Sequence, residues 1–181
     1  MILLMGIAGS GKGTQGTMLA DSRGYHLVSM GELLRLYVTG KQRERMLAGE
    51  LLDDDEIIEI VDRVLKSLPP EEEIILDGFP RTIPQAEWLM GEVKQGRFAI
   101  RAIFHLTASR EAVKNRLLRR ARIDDVENAI EERFKEYEKS TEPILQWFKD
   151  QGKEVVDVNA ERTVEEVNED LSKYLESKTG M

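Results

Sequence analysis

The sequence predicts an α/β fold with a parallel sheet, and three observations support this. Five short apolar runs recur along the 181 residues, and each is followed by a longer stretch with helical periodicity. Strands that alternate with helices in this way form parallel sheets, because each helix carries the chain back to the same edge. A glycine-rich turn also links the first run directly to a helical stretch. The length and a hydrophobic content of 41% suit a single domain over residues 1–181.

The five apolar runs are the predicted strands of that sheet. Runs this short, bounded by turn residues, are typical of strands that are buried on both faces. They comprise Ile2–Met5, His26–Val28, Ile74–Leu76, Ala102–Leu106 and Val155–Val158.

Apolar residues recur at spacings of three and four between the second and third predicted strands. This periodicity predicts amphipathic helices with core-facing sides. The segment from Arg35 to Leu68 carries only helical patterns and is longer than a simple crossover needs. We therefore predict a small, mobile helical subdomain over about residues 30–68. The core-facing residues are expected to be Leu33, Leu34, Val38, Ile57, Ile58, Val61, Val64 and Leu65.

The longest predicted helix runs from about Asp125 to Lys149. Attractive and repulsive charge pairs are mixed along it, as in Glu131–Lys135 and Glu132–Glu136. Most of this charge is expected to be solvated surface.

A glycine-rich loop follows the first predicted strand and runs from Gly6 to Thr14. Its glycines allow backbone conformations with positive φ, which turn several N–H groups toward one anion. The helix that follows adds the positive end of its dipole. Lys12 supplies a mobile charge for the β- and γ-phosphates of a nucleotide, and the Thr14 hydroxyl is the candidate to face a magnesium ion.

The loop departs from the generic phosphate-binding motif, because Gly13 stands between the lysine and Thr14. An exposed lysine in an ordinary glycine-rich turn is the alternative interpretation. The order of strand, glycine loop and helix is the context that the motif requires, so we predict binding of ATP or GTP.

Charge and composition exclude several other classes of function. The 26 basic and 34 acidic residues give a net charge of -8, which opposes binding to nucleic acid or to an anionic membrane. The chain contains no cysteine, which excludes disulfides, cysteine-based zinc sites and thiol nucleophiles. The apolar stretch Met1–Met5 is too short for a signal-peptide core or a membrane span, which predicts a cytoplasmic protein.

Four segments of the chain resemble the adenylate kinase family, in the family's order and over nearly the whole length. The family's loop carries the same glycine between lysine and threonine. The strongest match pairs a buried strand with an acid, a turn and an arginine. The four segments are Gly9–Gln15, Leu27–Arg35, Ile74–Ala86 and Arg116–Arg133, and weaker matches lie at Gly49–Leu52 and Val158–Val164.

The resemblance implies a three-layer P-loop fold with a five-stranded parallel sheet, and the reaction ATP + AMP ⇌ 2 ADP. It also implies magnesium with ATP and no zinc. The family places a lid between the arginines that match Arg120 and Arg122, and only Ala121 lies between them here. We therefore expect a nearly absent lid at about residues 120–123, poorer exclusion of water from ATP, and either a monomer or an oligomer that covers the ATP site.

The resemblance assigns residues to ATP, to magnesium and to catalysis. Asp77 follows a buried strand and is implied to hold magnesium with Thr14, through water; a cap or turn acid is the ordinary alternative. Taken alone, the basic run at residues 116–120 would be solvated surface. ATP is expected to contact Gly9, Ser10, Gly11, Lys12, Gly13, Thr14, Arg116 and Arg162. The expected catalytic residues are Lys12, Arg81, Arg116, Arg120, Arg122 and Arg133.

The resemblance also assigns a site for AMP. Arg81 offers a planar fork for phosphate oxygens, although a surface salt bridge is the ordinary alternative. The Gln85 amide complements the N6 and N1 edge of adenine, whereas Met30 replaces a threonine that lies beside the AMP base in the family. The expected contacts of AMP are Met30, Arg35, Glu50, Leu52, Gly78, Phe79, Pro80, Arg81, Gln85, Arg122 and Arg133.

Two alternative functions stay open. A kinase for CMP, UMP or another monophosphate is favoured by Met30 and opposed by Gln85. A regulatory module that binds ATP without transferring a phosphoryl group is opposed by Asp77, Arg81 and the set of arginines. The two histidines, His26 and His105, have no partner histidine at ligand spacing and are assigned no role.

Overall fold

The computed structural model describes residues 1–69 and 72–178. In these residues a five-stranded parallel sheet has the strand order β2-β3-β1-β4-β5. The predicted α/β fold is therefore confirmed. The strands are β1 (Ile2–Met5), β2 (His26–Ser29), β3 (Ile74–Asp77), β4 (Ala102–Thr107) and β5 (Val156–Asn159).

Helices cover both faces of the sheet. The first half of the chain carries α1 (Lys12–Arg23), α2 (Met30–Tyr37), α3 (Gly40–Ala48), α4 (Asp54–Ser67) and α5 (Ile83–Lys94). The second half carries α6 (Arg110–Arg120), α7 (Glu127–Glu136), a π-helical turn at Tyr137–Thr141 that we call the π segment, α8 (Glu142–Asp150) and α9 (Val164–Ser177). In residues 1–69 and 72–178 no helix combines the length and the apolar character that a membrane crossing requires.

Alternation along the strands divides the core into two layers. Leu3 and Ile103 belong to one cluster, on the face that α4, α5 and α8 cover. Leu4 and Phe104 belong to a second cluster, on the face that α1 and α9 cover. Successive side chains of a strand point to opposite faces, so the sheet is the middle layer of three. Every residue of β1 is buried, as expected for the central strand.

The strand order places the ends of β1 and β3 at a topological switch point. β1 pairs with β3 on one side and with β4 on the other, with Leu4 opposite both Asp77 and Phe104. The loops that leave neighbouring strands at such a point diverge to opposite faces of the sheet and open a crevice at its carboxyl edge. The glycine-rich loop and the segment after Asp77 line this crevice.

The region of residues 30–68 forms α2, α3 and α4. The buried faces of α2 and α4 belong to the same cluster as Leu3. Leu34, Val38, Ile57, Val61 and Leu65 are at most 7% exposed, and Leu33, Ile58 and Val64 pack partly buried against them. The core-facing sides are therefore where the periodicity predicts them.

The predicted helix from Asp125 to Lys149 is not a continuous α-helix. α7 begins at Glu127, the π segment interrupts it, and α8 continues from Glu142 with Pro143 in its first turn. Proline has no N–H and its ring clashes with the carbonyl four residues earlier, so the α-helical ladder is broken at this point. The backbone N–H of Glu142 donates instead to Tyr137 O, five residues back.

Candidate active site

A cavity of about 650 Å³ opens at the carboxyl edge of the sheet. Segments that are far apart in the sequence line it: the glycine-rich loop, the ends of β1, β2 and β3, the segment after β5, and parts of α2, α6 and α7. All residues assigned to a site line this cavity with the exception of Phe79. The Phe79 ring is 1% exposed and packs edge-on against Trp88 in the core, so its side chain is not part of the wall. The lining residues from that set are Gly9, Ser10, Gly11, Lys12, Gly13, Thr14, Met30, Arg35, Glu50, Leu52, Asp77, Gly78, Pro80, Arg81, Gln85, Arg116, Arg120, Arg122, Arg133 and Arg162.

The glycine-rich loop folds against α6 and ends at the first turn of α1. Gly9 has a φ of 89°, and a Cβ at this position would lie 2.8 Å from Leu117 Cγ. Gly11 has a φ of 106° and precedes Lys12, the first residue of α1. A larger side chain would thus push the loop away from α6 or strain its backbone. The first N–H groups of a helix lack intrahelical partners, so the loop presents them to the cavity as an anion site.

Lys12 lies beneath this loop and is 8% exposed. Its Nζ donates to the carbonyl oxygens of Gly6 at 2.7 Å and Ile7 at 2.8 Å. Burial lowers the pKa of Lys12 to about 8, and the nearby cations Arg81 and Arg120 act in the same direction, while Asp77 opposes them. An anion in the cavity would reverse this shift, because it favours the charged ammonium.

Asp77 stands at the end of β3, 9% exposed, directly across from the loop. Its Oδ2 accepts a hydrogen bond from Ser29 Oγ at 3.2 Å and lies 3.5 Å from where a Cβ on Gly13 would be. Thr14 lies next to Gly13 in the first turn of α1, with an exposed side chain. The oxygen groups at this point of the cavity are thus the carboxylate of Asp77 and the hydroxyls of Ser29 and Thr14.

This donor set fits a magnesium ion that keeps most of its water. Magnesium prefers oxygen ligands and is commonly bound by one or two carboxylates together with substrate phosphates, rather than by a cage of protein groups. In the described ranges 1–69 and 72–178 there is no cluster of three or more His, Cys, Asp or Glu side chains that could hold a metal.

Arg81 also lines the cavity and is held by residues near it in the sequence. Its Nε donates to Gly78 O at 2.8 Å, and its backbone N–H donates to Gln85 Oε1 at 2.8 Å. Burial lowers the pKa of Arg81, and the cations Arg133 and Arg35 add to this, while Asp77 opposes it. A guanidinium remains charged under such conditions, so a concentrated positive potential faces the cavity.

Gln85 is held by protein groups at both ends of its amide. Besides the bond from Arg81, its Nε2 donates to Asp54 Oδ1 at 2.7 Å. Thr82 Oγ1 donates to the same Asp54 oxygen at 2.6 Å. One N–H and one lone pair of the amide are left for a ligand. Asp54 was not predicted as a site residue, because nothing in the sequence joins the start of α4 to the start of α5.

Two buried aspartates hold the arginines of the cavity in place. Asp125 accepts from Arg120 at 2.8 and 2.6 Å and from Arg133 Nη1 at 3.0 Å. Asp124 accepts from Arg133 Nη2 and lies 3.8 Å from Arg35. Burial alone would raise the pKa of Asp125, but the bonds from Arg120 outweigh it and hold that pKa below its usual range. Neither aspartate was predicted to have a role, although two adjacent acids beside a basic run were the available signal.

Arg116 and Arg162 lie on the side of the cavity formed by α6 and the end of β5. Arg116 donates to Ala160 O at 2.6 Å and to Ser10 O at 3.4 Å, so it joins the glycine-rich loop to the segment after β5. Arg162 pairs with Asp170 on α9. Arg162 also donates from Nε to Asn159 O at 3.3 Å. Both predicted ATP contacts are therefore held by backbone carbonyls, and Arg162 has a surface carboxylate as a further partner.

The wall near α2 and the α3–α4 turn is largely apolar. Met30 is 1% exposed and Leu52 is 8% exposed. Gly49 has a φ of 93°, and a Cβ there would lie 2.6 Å from Ala129 O, so glycine permits the turn to rest on α7. The Glu50 carboxylate accepts from Arg45 Nε at 2.9 Å. Met30 thus presents a thioether where a hydroxyl would offer a hydrogen bond.

The chain is similar throughout to proteins described as adenylate kinases. A family model with that description matches residues 4–153. Adenylate kinase of Synechococcus sp. (strain CC9902) is 36% identical over 181 residues, which is 97% of this chain and 98% of that protein. Adenylate kinase of Corynebacterium urealyticum is 33% identical over 174 residues, or 93% and 94% of the two chains. Adenylate kinase of Bacteroides fragilis is 32% identical over 186 residues, or 97% and 98%.

Proposed function

This chain belongs to the adenylate kinase family, and we propose that it is an ATP-dependent kinase that catalyses ATP + AMP ⇌ 2 ADP. The observation that carries the proposal is one cavity lined by two cationic centres. Lys12 lies under the glycine-rich loop, and Arg81 lies over the end of β3. The two are close enough for Arg81 to help lower the pKa of Lys12. A phosphate chain that spans both centres would relieve this repulsion.

The arrangement supports transfer through orientation and charge rather than through a covalent intermediate. Transfer between two phosphates needs the reacting oxygens in line and stabilisation of charge on the equatorial oxygens. Lys12 would neutralise the β- and γ-phosphates of ATP, while Arg81, Arg116, Arg120, Arg122 and Arg133 bracket the transferred group. Asp125 holds Arg120 and Arg133 in fixed positions, so these donors are preorganised. The attacking phosphate has a second pKa of about 6 and is largely ionised at neutral pH, so it needs no general base.

Magnesium enters the proposal together with ATP, as the family uses it. When bound, the ion would offset charge on the β- and γ-phosphate oxygens. This chain would contribute Asp77, through a water molecule, and the Thr14 hydroxyl. Ser29 supports the site by donating to Asp77, which fixes the carboxylate toward the loop.

Base recognition is proposed to depend on Gln85. The free N–H and lone pair of its amide match the N1 and N6 groups of adenine. Its position is fixed by Asp54 and by the backbone of Arg81. Met30, which is buried in the cavity wall, adds an apolar surface and favours a kinase for another monophosphate as the second candidate.

We carry three further proposals from the family. The helical region of residues 30–68 moves as a unit that binds the monophosphate, and residues 120–123 take the place of a lid. The protein acts in the cytoplasm and binds small nucleotides rather than nucleic acid or membranes. It works as a monomer or as an oligomer that covers the ATP site. Sedimentation at several protein concentrations would distinguish the monomer from the oligomer.

A substrate panel tests the proposed function. Purified protein is given ATP, magnesium and one of AMP, CMP, UMP or GMP, and the diphosphate formed is measured. We expect kcat/KM for AMP to exceed the others by at least roughly tenfold, a discrimination that two hydrogen bonds can supply. Gln85→Leu should reduce this preference, whereas Gln146→Leu, at an exposed position on α8, should not. Preference for CMP or UMP would establish the second candidate, and ATP binding without any diphosphate formation would establish a regulatory module.

A further inference from the structure

A chain of polar side chains runs from β5 to the cavity through His105. On β4, His105 Nδ1 lies 2.6 Å from Asp157 Oδ1, and its Nε2 lies 2.7 Å from Tyr137 Oη. The rings of His105 and Tyr137 are stacked, with an interplanar angle of 18°. The histidine side chain is only 12% exposed, while that of Asp157 is 60% exposed. The proposed reaction uses none of these three residues.

The carboxylate of Asp157 fixes the direction of one hydrogen bond, and a neutral imidazole then fixes the direction of the other. A carboxylate only accepts, so Nδ1 of His105 carries a proton and donates to Asp157. A neutral imidazole protonated at Nδ1 has a lone pair at Nε2, which accepts the Tyr137 hydroxyl proton. Burial raises the pKa of Tyr137, and Glu142 and Asp157 add to this, so the hydroxyl keeps the proton that it donates. Tyr137 thus donates to His105, and His105 donates to Asp157.

Tyr137 is the first residue of the π segment, and the last residue of that segment contacts the acceptor side of the cavity. Thr141 Oγ1 donates to Arg81 O at 3.0 Å, and Thr141 is 8% exposed. Both Tyr137 and Thr141 line the cavity. Tyr137 also packs against the small apolar cluster that contains Ile7 of the glycine-rich loop. The π segment therefore packs at one end against the apolar cluster that includes Ile7 and contacts the backbone of Arg81 at the other.

We propose that His105 is a positioning residue for the transfer: through Tyr137 it anchors the π segment, whose far end fixes Arg81. π-helical turns are rare and occur mostly at functional sites. Their hydrogen bonds are made at a wider spacing than those of an α-helix. A π-helical turn that joins two substrate-binding elements therefore needs a fixed contact outside the helix. His105 supplies that contact from a strand of the sheet, β4. This inference rests on the proposed function, because it concerns the placement of the acceptor arginine.

Three variants test the anchor. His105→Leu removes both hydrogen bonds, and Tyr137→Phe removes only the hydroxyl, so the second is testable even if the first folds poorly. His105→Gln places an amide oxygen that can accept from Tyr137. His26→Leu changes the other histidine, which lies at the start of β2 outside the cavity, and serves as the matched control. The double variant His105→Leu/Tyr137→Phe measures whether the two residues act through one contact.

The readout is ADP formation with AMP and ATP varied separately, at a temperature where every variant is folded by circular dichroism. We expect His105→Leu and Tyr137→Phe each to lower kcat/KM for AMP by roughly threefold to thirtyfold, as a displaced positioning group would. The double variant should lose no more than the worse single variant, His105→Gln should recover most of the loss, and KM for ATP should stay within about twofold of the native value.

Several outcomes would overturn the anchor. They are native kcat/KM for AMP in His105→Leu and Tyr137→Phe, losses that multiply in the double variant, an equal loss in His26→Leu, or a lowered melting temperature with unchanged kinetics. Failure of the proposed function is distinguishable from all of these. In that case the native protein itself forms no ADP from ATP and AMP.

Discussion

Lys12 is held in an environment that disfavours its own charge. Its ammonium is buried, with Arg81 and Arg120 near it, and only Asp77 opposes them. Its hydrogen bonds go to the carbonyl oxygens of the loop itself. Such a group is poised to gain stabilisation when a phosphate arrives, which is how preorganised charges act in catalysis.

The first prediction concerns Lys12→Met, which keeps the length of the side chain and removes its charge. We expect kcat to fall by roughly a hundredfold or more, the scale of losing one preorganised donor. Far-ultraviolet circular dichroism and the melting temperature should show that the variant is folded. Turnover close to that of the native protein would refute the role given to Lys12.

The second prediction is a proton uptake on nucleotide binding near pH 8. The pKa of Lys12 is about 8, so about half of these side chains are neutral at that pH, and a bound phosphate draws the proton back. Calorimetric titration of ATP in buffers of different ionisation enthalpy should detect an uptake of protons that Lys12→Met lacks.

The same lowered pKa affects the stability of the protein. The folded pKa of Lys12 lies below the value of 10.5 that is usual for lysine, so the unfolded chain binds more protons between about pH 8 and 10.5. The stability of the nucleotide-free protein should therefore gain from rising pH in that window.

The third prediction concerns Asp125, whose side chain is fully buried among arginines. Asp125→Asn leaves Arg120 without its carboxylate and Arg133 with Asp124 alone, and breaking a buried pair costs about 3 kcal/mol of unfolding free energy. Urea titration at pH 7 measures this. The folded pKa of Asp125 is lowered, so its contribution is present above the ordinary pKa of 3.8 and is lost as the pH falls through the folded value. Equal stability of the two proteins at pH 7 would contradict the prediction.

Among the helices, strands and loops, those with local signals were the predictable ones. The strands from β1 to β5 were predictable from short apolar runs. The glycine-rich loop was predictable because its backbone needs positive φ angles, which glycine adopts readily. The interruption of the helix before α8 had a local signal in Pro143, which the helical periodicity outweighed in the prediction. The hydrogen bond that Gln85 donates to Asp54 was not predictable, because it joins residues far apart in sequence. His105 shows the same limit: a single histidine on a strand carries no signal until Asp157 and Tyr137 are placed beside it.

The connection between α6 and α7 is the element with the clearest functional consequence. α6 ends at Arg120, Ala121 adopts a left-handed φ of 53°, and α7 begins at Glu127. The short segment of residues 121–126 therefore connects these helices beside the cavity. A site with so little cover excludes water less completely.

The fourth prediction is slow hydrolysis of ATP in the absence of AMP. We expect phosphate release on the order of 1% of the transfer rate, because water can reach the γ-phosphate of a bound ATP. The measurement is a phosphate assay with magnesium and ATP alone. Lys12→Met controls for a contaminating ATPase, since its preparation should release no phosphate above background. Release at background in the native protein would mean that something else shields the site.

In the molecule as a whole, two exposed apolar side chains face one groove beside the cavity. Leu36 on α2 is 78% exposed and Ile123 in the α6–α7 connection is 77% exposed. Both line this groove together with Arg35 and Arg122. Burial, and after it the charge of Arg122, lowers the pKa of Arg35, so the two arginines repel each other. A phosphate bound between them would draw α2 and the connection together and remove Leu36 and Ile123 from water.

The fifth prediction follows from this closure and uses the absence of cysteine from the chain. In Leu36→Cys/Ile123→Cys a disulfide forms only when the two Cα atoms come within about 7 Å. We expect a two-headed adenosine nucleotide to speed intramolecular disulfide formation by roughly tenfold, because the ligand selects the closed state. The control Leu118→Cys/Ile123→Cys uses a half-exposed leucine on α6 that lines neither the groove nor the cavity, and its rate should not respond to nucleotide. Rates that are equal with and without nucleotide would rule out the closure.

Disulfides that link two chains on a non-reducing gel would instead assign the groove to a second copy of the protein. A neighbouring subunit rather than a lid would then complete the site.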